Sequence, residues 1–380
     1  MARLHAPQGA FLLMLLLHCS ATCGAQANSG LARERARHLQ RGINLSEWFA
    51  QVWDPKGYTK EHFESWVTAE DVVWIKSAGF DHVRLSVNPA PLMRHNLADQ
   101  LPPEYLGYID AALKMLLERG LTVVLDLHPE SDFKAQLVAH DDFVEQYSDF
   151  WRALARHYRS SDPARVFFEV LNEPEFRDRY RWAGVEAKLA AAIREGAPEH
   201  TIIVAGANWS DVDDLVSMTP LADRNLIYNF HFYDPHTFTH QGATWGVNYW
   251  HFESKLAYPA TVENAQAVAA AEPDPFNRLL VLRYGLDHWD RNRISVEIGQ
   301  AAEWGRHWNV PLTCNEFGVF RRYAEPEDRG RWLRDVRLTL EAAGIGWNMW
   351  DYSGGFGVVS GKPGQRTADP VTLGALGLKQ

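Results

Sequence analysis

The chain has 380 residues, 46% of them hydrophobic, and a formal net charge of −10. This length and apolar content are enough for a sizeable core. The negative charge and the lack of a long basic run argue against a nucleic-acid-binding surface or an anionic-membrane surface. Fifteen tryptophans predict either a tryptophan-rich core or a ligand cleft lined by aromatic rings.

The N-terminus has the pattern of a secretory signal peptide, which we place at residues 1–27. Arg3 supplies positive charge, residues 11–17 form a short apolar run, and a small-residue cleavage site ends at Ala27. The apolar run is too short to span a bilayer stably. We therefore expect a secreted protein, extracellular or periplasmic, without a membrane anchor.

The remaining chain is predicted to form a solvated, arginine-rich lead-in at residues 28–40, followed by a single domain at residues 41–380. Cleavage after Ala27 leaves Cys314 as the one remaining cysteine. Because one thiol cannot form an internal disulfide, the exported domain depends on its core for stability.

Short apolar runs alternate with amphipathic stretches from residue 41 onward. The runs predict strands at 42–45, 82–87, 121–127, 166–171, 201–205, 226–232, 311–314 and 346–350. The amphipathic stretches predict helices at 69–78, 103–119, 141–158, 182–195, 296–308 and 329–342. Five of the seven intervals between strand starts are about 35–45 residues long, the size of one strand–helix unit. Eight such units favour a closed (β/α)8 TIM barrel, an α/β fold, over an open sheet.

Four glycines follow predicted helices directly: Gly79, Gly120, Gly196 and Gly344. The residue after a helix commonly adopts a left-handed backbone, which glycine accepts without steric cost. We expect all four glycines to end their helices in this way.

A long insertion occupies residues 234–293, after predicted strand six, where a barrel normally has a short loop and one helix. It is rich in aromatic residues. Because it leaves a strand at its C-terminal end, we expect residues from about 248 to 290 to rise over that face of the barrel and form one wall of a cleft. The alternative is a small structural subdomain with its own aromatic core.

Polar and aromatic residues cluster where the predicted strands end: Arg84, Asp126, His128, Asn172, Glu173, His231, Tyr233, Glu316, Asn348 and Trp350. In barrel enzymes these ends meet at one face and carry the active site. Strand periodicity puts His231 and Tyr233 on one face, and likewise Cys314 and Glu316. Burying such polar groups is unfavourable unless they bond one another or a ligand, so the cluster predicts an active site.

Two carboxylates on separate strands, Glu173 and Glu316, fit the hydrolysis of a glycosidic bond. One protonates the leaving oxygen, and the other attacks the anomeric carbon or activates water. Glu173 ends an apolar run, where burial keeps a carboxyl group protonated, so we assign it as acid/base. Glu316, assigned as nucleophile, must stay ionised and needs a cation or donor nearby. Arg84 and the Tyr233 hydroxyl are the candidates.

The strand-end residues resemble the invariant set of glycoside hydrolase family 5, the cellulase and mannanase family of retaining (β/α)8-barrel glycosidases. The matches, in order and strand by strand, are Arg84, His128, Asn172, Glu173, His231, Tyr233, Glu316 and Trp350. The opening segment at residues 41–45 also resembles that family's first strand, and the match extends to about residue 360. Asn-Glu-Pro alone occurs in many proteins, but eight ordered matches are specific.

The resemblance implies a role for each supporting residue. Asn172 is expected to hold the 2-hydroxyl of the sugar at the cleavage point, and His128 to contact the same sugar. His231 is expected to orient or tune the acid/base, and Trp350 to form the platform beneath the sugar. The two candidate partners of the nucleophile are expected to bond it.

Two positions depart from the family pattern. Ser46-Glu47 replaces a glycine-rich turn after the first strand, and Glu175 follows the Asn-Glu-Pro motif. We expect neither to enter the chemistry, and both leave the substrate open. Further sugar subsites are proposed for three tryptophans: Trp48, Trp245 and Trp250.

The resemblance implies a retaining glycoside hydrolase that cleaves β-linked polysaccharide, most simply an endo-β-1,4-glucanase. β-Mannanase, β-1,3-glucanase and xyloglucan-type specificities stay open, as does transglycosylation, which shares the covalent intermediate. A non-catalytic carbohydrate-binding barrel is the alternative of another class, although the presence of both glutamates argues against it. The acidic residues near His140 lack a metal-ligand spacing. We therefore expect no metal or cofactor, and a monomer whose partner is a poly- or oligosaccharide.

Overall fold

The computed structural model describes residues 30–93, 101–246 and 255–379. Eight parallel strands close into a barrel in sequence order, with the last strand pairing with the first. The predicted (β/α)8 TIM barrel is therefore confirmed. Its strands are β1 (Arg41–Phe49), β2 (His82–Val87), β3 (Thr122–Leu127), β4 (Val166–Glu169), β5 (Ile202–Ala205), β6 (Leu226–Phe232), β7 (Leu312–Phe317) and β8 (Gly346–Met349).

Helices surround the barrel and connect its strands. They are α1 (30–36), α2 (Lys60–Ser65), α3 (Ala69–Ala78), α4 (Pro103–Glu118), α5 (Ser131–Ala139), α6 (Asp141–Tyr158), α7 (Arg179–Gly196), α8 (Ala207–Ser210), α9 (Val212–Ser217), α10 (His236–Thr239), α11 (Val262–Ala271), α12 (Pro275–Leu286), α13 (Arg291–Trp308), α14 (Pro326–Ala342) and α15 (Pro370–Ala375). A small antiparallel pair, β9 (Val359–Ser360) and β10 (Thr367–Ala368), follows the barrel. In the parts of the chain that the structure describes, no helix has the length and apolar character needed to cross a bilayer.

The segment predicted to be a solvated lead-in instead covers the lower end of the barrel. Ala32 in α1 and Leu39 have no exposed surface. Arg35 donates to the backbone oxygen of Glu199 and to Thr201 Oγ1. Leu39 completes the bottom apolar layer of the barrel, which consists of Val124, Phe167, Ile203 and Ile227. The prediction of a solvated segment is wrong because its few apolar residues all face the barrel, while its arginines face outward or bond backbone oxygens.

The tryptophans of the outer helices belong to the core and also hold the ends of two strands. Trp151 Nε1 and Tyr147 Oη, both on α6, donate to the backbone oxygen of Val170 at 3.0 and 3.1 Å. Trp182 Nε1, on α7, donates to the backbone oxygen of Ala205 at 2.8 Å. Buried indole groups need such partners. The tryptophan-rich core predicted from composition is therefore present at the helix–strand interface.

The glycines after the helices behave as predicted in three cases of four. Gly79, Gly120 and Gly344 have φ angles of 110°, 77° and 71°. Gly196 instead lies inside the last turn of α7. A Cβ atom at Gly196 would lie 2.6 Å from the backbone oxygen of Arg152 on α6. Gly196 therefore allows α6 and α7 to pack closely together. Apolar periodicity along a single helix cannot reveal such a contact.

The insertion after β6 divides into a part at the catalytic face and a helical part outside the barrel. From α10 to Trp245 the chain packs beside Phe320 and Phe356, in the loops that follow β7 and β8. The helices α11 and α12 pack against each other. Just before α11, Tyr258 Oη donates to Asp335 on α14 at 3.0 Å. The expected cleft wall at 248–290 is therefore not confirmed, because its described residues form the helical part and residues 247–254 lie outside the described residues. The aromatic side chains of this part, Tyr258, Tyr284 and Trp289, belong to the main core and do not form a core of their own.

Two glycines on one helix give a matched test of this packing. We expect Gly196→Ala to lower the free energy of unfolding by about 1–3 kcal/mol, because the added methyl group must push α7 away from α6. Gly184 lies on the same helix, is exposed and has no atom within 4 Å of an added Cβ. Gly184→Ala should therefore raise the free energy of unfolding by about 0.5–1 kcal/mol through helix propensity alone. Chemical denaturation measures both, and equal effects would contradict the close-contact argument.

Candidate active site

A buried arginine, Arg84 on β2, lies at the centre of the candidate site. Its Nε and Nη2 atoms each donate to a carboxylate oxygen of Glu169 at 2.8 Å. Nη1 donates to Glu316 Oε1 at 2.7 Å, and Nη2 lies 3.1 Å from Asp126 Oδ1. Nη2 also donates to Asn172 Oδ1 at 2.8 Å. One fully buried side chain thus fixes the ends of β2, β3, β4 and β7 relative to one another.

The charges around Arg84 compensate one another. Burial lowers the pKa of Arg84, but the carboxylates of Asp126, Glu169 and Glu316 raise it well above its ordinary value. Burial raises the pKa of Glu169 despite its contact with Arg84. Burial also raises the pKa of Asp126, but the charge of Arg84 and the contact with His128 bring it below its ordinary value. Removing one partner from such a buried cluster leaves an uncompensated charge, so the cluster is stable only when complete.

Glu316 is held by two donors at the end of β7. Arg84 binds its Oε1 atom, and Tyr233 Oη donates to Oε2 at 2.8 Å. These are the two partners that the sequence suggested for an ionised carboxylate. Only 5% of the Glu316 side chain is exposed, so both oxygens stay in this fixed geometry.

A β-bulge in β7 directs Glu316 into the barrel. The pairing between β6 and β7 shifts by one residue, and Glu316 lies opposite His231 with Asn315 as the extra residue. Asn315 also points inward, because its Nδ2 atom donates to Glu169 Oε2 at 2.7 Å. The expectation that Cys314 and Glu316 share one face is therefore wrong. Cys314 belongs to the main apolar core.

Glu173 follows β4 and faces His231 on β6. Its backbone is left-handed, with φ 46°. The Oε1 atom of Glu173 lies 3.0 Å from His231 Nδ1, which in turn lies 3.6 Å from Glu316 Oε2. One atom from each of the three side chains lies within 4.8 Å of the other two. The Glu173 side chain is 25% exposed, so it is the more accessible of the two carboxyl groups.

The proton of the Glu173–His231 pair lies on the histidine. Burial raises the pKa of Glu173, but the hydrogen bond and charge of His231, with smaller effects of Lys134 and His128, lower it to about 2. Burial lowers the pKa of His231, but Glu316 and Glu173 raise it above its ordinary value. The prediction that apolar surroundings keep Glu173 protonated is therefore wrong. The two groups interact strongly, so the charge of each one shifts the pKa of the other.

His128 connects the charged cluster to an aromatic ring. Its Nδ1 atom lies 2.9 Å from Asp126 Oδ2, and its Nε2 atom lies 3.1 Å from Asn172 Nδ2. Since Asn172 donates, His128 Nε2 accepts and Nδ1 carries the hydrogen. The imidazole stacks on Trp350 at 5.5 Å between ring centroids, with an interplanar angle of 16°. All eight residues that resemble the invariant set of the family therefore lie in one connected group.

Comparison with known proteins identifies the family. A sequence model described as Cellulase (glycosyl hydrolase family 5) matches residues 48–355. The chain belongs to glycosyl hydrolase family 5. Endoglucanase C of Acetivibrio thermocellus is 30% identical to this family 5 enzyme over 320 residues, which cover 83% of this chain and 91% of that protein. The resemblance inferred from the strand ends is confirmed, and the chain is a glycosidase.

Solved structures have the same fold as this family 5 enzyme. Those of Thermotoga maritima Cel5A in complex with cellobiose and with mannotriose have a TM-score of 0.73. Their sequences are 23% and 24% identical to this one, and each match covers 90% of this chain and 99% of Cel5A. At this identity the likeness concerns the barrel and its connections.

The sequence analysis missed several residues at the site, among them Glu169 and Trp209. Glu169 carries the bidentate contact to Arg84. Trp209 follows β5, is 49% exposed, and its backbone nitrogen donates to the oxygen of Pro174 at 3.1 Å. The search for polar and aromatic residues at strand ends would have found Trp209 if it had included the residues after β5. Glu169 had no such signal, because it lies inside an apolar run.

The aromatic candidates have different surroundings in this family 5 enzyme. Trp48 is buried, and its Nε1 atom donates to the backbone oxygen of Phe63, so it belongs to the core. Trp245 is 46% exposed and packs edge-on against Phe320, close to the catalytic face. Trp250 lies outside the described residues. Trp350 is largely buried, which leaves little of its ring for a sugar.

The same side chains are the candidate ligands for a cation. Among the described residues, Glu173, His231 and Glu316 form the one cluster whose donor atoms are close enough to share a metal ion. However, Glu316 is already bound by Arg84 and Tyr233, and His231 is bound by Glu173. A guanidinium at 2.7 Å from Glu316 also repels a cation. The arrangement therefore suits acid–base chemistry better than metal binding.

Proposed function

We propose that this enzyme is an endo-β-1,4-glucanase that cleaves its substrate with retention, using Glu316 as nucleophile and Glu173 as acid/base. The observation that carries the proposal is the separation of the two carboxyl groups, with oxygens within 4.8 Å of each other. Retaining glycosidases need about 5–5.5 Å, whereas inverting enzymes need about 6.5–9.5 Å to admit a water molecule between carboxylate and sugar. The short separation favours direct attack by Glu316.

In the first step, a carboxylate oxygen of Glu316 bonds to the anomeric carbon while the bond to the leaving oxygen breaks. The leaving oxygen takes a proton from Glu173, which receives it from His231 Nδ1 across 3.0 Å. Arg84 and Tyr233 bind the two oxygens of the nucleophile and fix its position before the reaction. We expect Asn172, which Arg84 and His128 hold in position, to bind the 2-hydroxyl of the same sugar.

In the second step, Glu173 removes a proton from water, the water oxygen bonds to the anomeric carbon, and Glu316 leaves as a carboxylate. The charge of Glu316 disappears while it is esterified to the sugar. Glu173 can act as this base because the pair gave up its proton to the leaving oxygen in the first step. While Glu316 is esterified, His231 lacks one of the charges that raise its pKa. Release of Glu316 restores that charge, and the proton taken from water then stays on the Glu173–His231 pair.

The two glutamate variants are expected to differ in their response to azide. Glu316→Ala removes the nucleophile, so turnover should collapse, and azide in its place should give the α-glycosyl azide. Glu173→Ala loses the proton donor, which is worth about 10²–10⁴-fold on unactivated polysaccharide. A dinitrophenyl glycoside needs little protonation, so its first step should largely survive, and azide should give the β-azide. The anomers are identified by NMR, and the opposite anomers would show that the two roles are reversed.

The β-1,4-glucan specificity is supported by the name of the endoglucanase relative, and the Cel5A complex with mannotriose keeps mannan as the second candidate. We expect a soluble cellulose derivative to be cleaved roughly 10-fold or more faster than mannan, laminarin or xyloglucan, with viscosity falling before many reducing ends form. The release of reducing ends from all four substrates measures this preference. A faster reaction on mannan would replace the glucanase assignment. Products longer than the substrate at high acceptor concentration would instead indicate transglycosylation.

We also propose export of this enzyme as a monomer, through the signal peptide expected at residues 1–27. This segment lies outside the described residues. The supporting observations are the apolar run at residues 11–17 and the cleavage site ending at Ala27. N-terminal sequencing of protein collected outside the cytoplasm should begin at Asn28, and full-length protein retained inside the cell would refute export.

A further inference from the structure

A buried lysine paired with a partly exposed glutamate lies beside the acid/base and has no part in the mechanism described so far. Lys134, on α5, is only 4% exposed, and its Nζ atom lies 3.2 Å from Glu175 Oε1. Ser131 Oγ, at the start of α5, donates to the same oxygen at 2.8 Å. Glu175 stands two positions after Glu173 and departs from the family pattern. A buried lysine is unfavourable unless it is paired, so its presence at the catalytic face requires a reason.

Lys134 contacts Glu175, two positions after Glu173, and so lies near the charge of Glu173. The groups that face Glu173 are His231 and Tyr233 at the end of β6, His128 after β3, Lys134 from α5, His240 after α10 and Glu316 from β7. Burial raises the pKa of Glu173, His231 lowers it most, and Lys134 lowers it further. A lysine at this position therefore favours ionised Glu173, the form that acts as a base in the second step.

The same charge opposes the first step, in which Glu173 must carry a proton. We propose that Glu175 masks the charge of Lys134 and so keeps the proton on the Glu173–His231 pair to a higher pH than the lysine alone would allow. This inference rests on the proposed role of Glu173. Lys134 and Glu175 act through Glu173 and are positioning residues, since neither has to touch the substrate.

The ion pair can be altered one charge at a time. Glu175→Gln keeps an oxygen that accepts from Ser131 and Lys134 but leaves the lysine charge unmasked. The Glu173–His231 pair should then lose its proton at a lower pH. The basic limb of the pH profile, where kcat/KM falls as the pH rises, should therefore move down by roughly 0.5–1 pH unit. Lys134→Met keeps the apolar stem and removes the charge, so the basic limb should move up by a similar amount.

The control is an exposed ion pair at the other end of the barrel. Glu118, at the end of α4, lies 3.8 Å from Lys114, and both side chains are more than half exposed. Glu118→Gln changes the net charge as Glu175→Gln does, and its pH profile should match that of the parent enzyme because surface charges are screened. Each profile is measured on a cello-oligosaccharide with the full chain, alongside its thermal midpoint.

The pH profiles distinguish an effect of the Lys134–Glu175 pair on the proton affinity of Glu173–His231 from a purely structural role. Opposite shifts of the basic limb in Glu175→Gln and Lys134→Met support the proposal. Unchanged profiles in both variants, with only the thermal midpoint lowered, would overturn it and leave the pair a structural brace. A parent profile whose basic limb persists unchanged in Glu173→Ala would instead remove the proposed role of Glu173 itself. If Glu175→Gln does not fold, the upward shift in Lys134→Met, or its lack, decides alone.

Discussion

The site depends on one buried guanidinium. Arg84 binds carboxylates from three strands and an amide from the loop after one of them, β4, and the removal of any carboxylate leaves charge without compensation in a low-dielectric interior. The rigid fork of five donors explains why arginine rather than lysine can hold so many groups at once. The positions of Glu316 and of Asn172 follow from this one side chain.

The second constraint is that one proton is shared across two strands. His231 bonds Glu173 and lies near Glu316, so the charge of each carboxyl group influences the basicity of the histidine. A step that consumes the charge of Glu316 therefore changes the proton affinity of the Glu173–His231 pair. In the proposed mechanism, this link between three side chains accompanies the change of Glu173 from acid to base.

Most of the fold could be predicted from the sequence, because strand and helix periods depend on neighbouring residues. All eight strands and the strand-end cluster follow from apolar runs and the residues that end them. The errors concern contacts between distant segments. The bulge at Asn315, the packing of Gly196 on α6 and the burial of Leu39 are visible only once two elements meet. The position of the shared proton was missed for the same reason, since it depends on His231, far from Glu173 in sequence.

The bonds from α6 to the end of β4 have a consequence for how such enzymes diversify. Tyr147 and Trp151 donate hydrogen bonds to the backbone oxygen of Val170 from outside the barrel, just before Asn172 and Glu173 in the chain. The positions of Asn172 and Glu173 are therefore supported by the barrel and its outer helices, and depend little on the loops at the mouth of the barrel. Those loops can change in length or sequence to suit another glycan while this support of Asn172 and Glu173 stays the same.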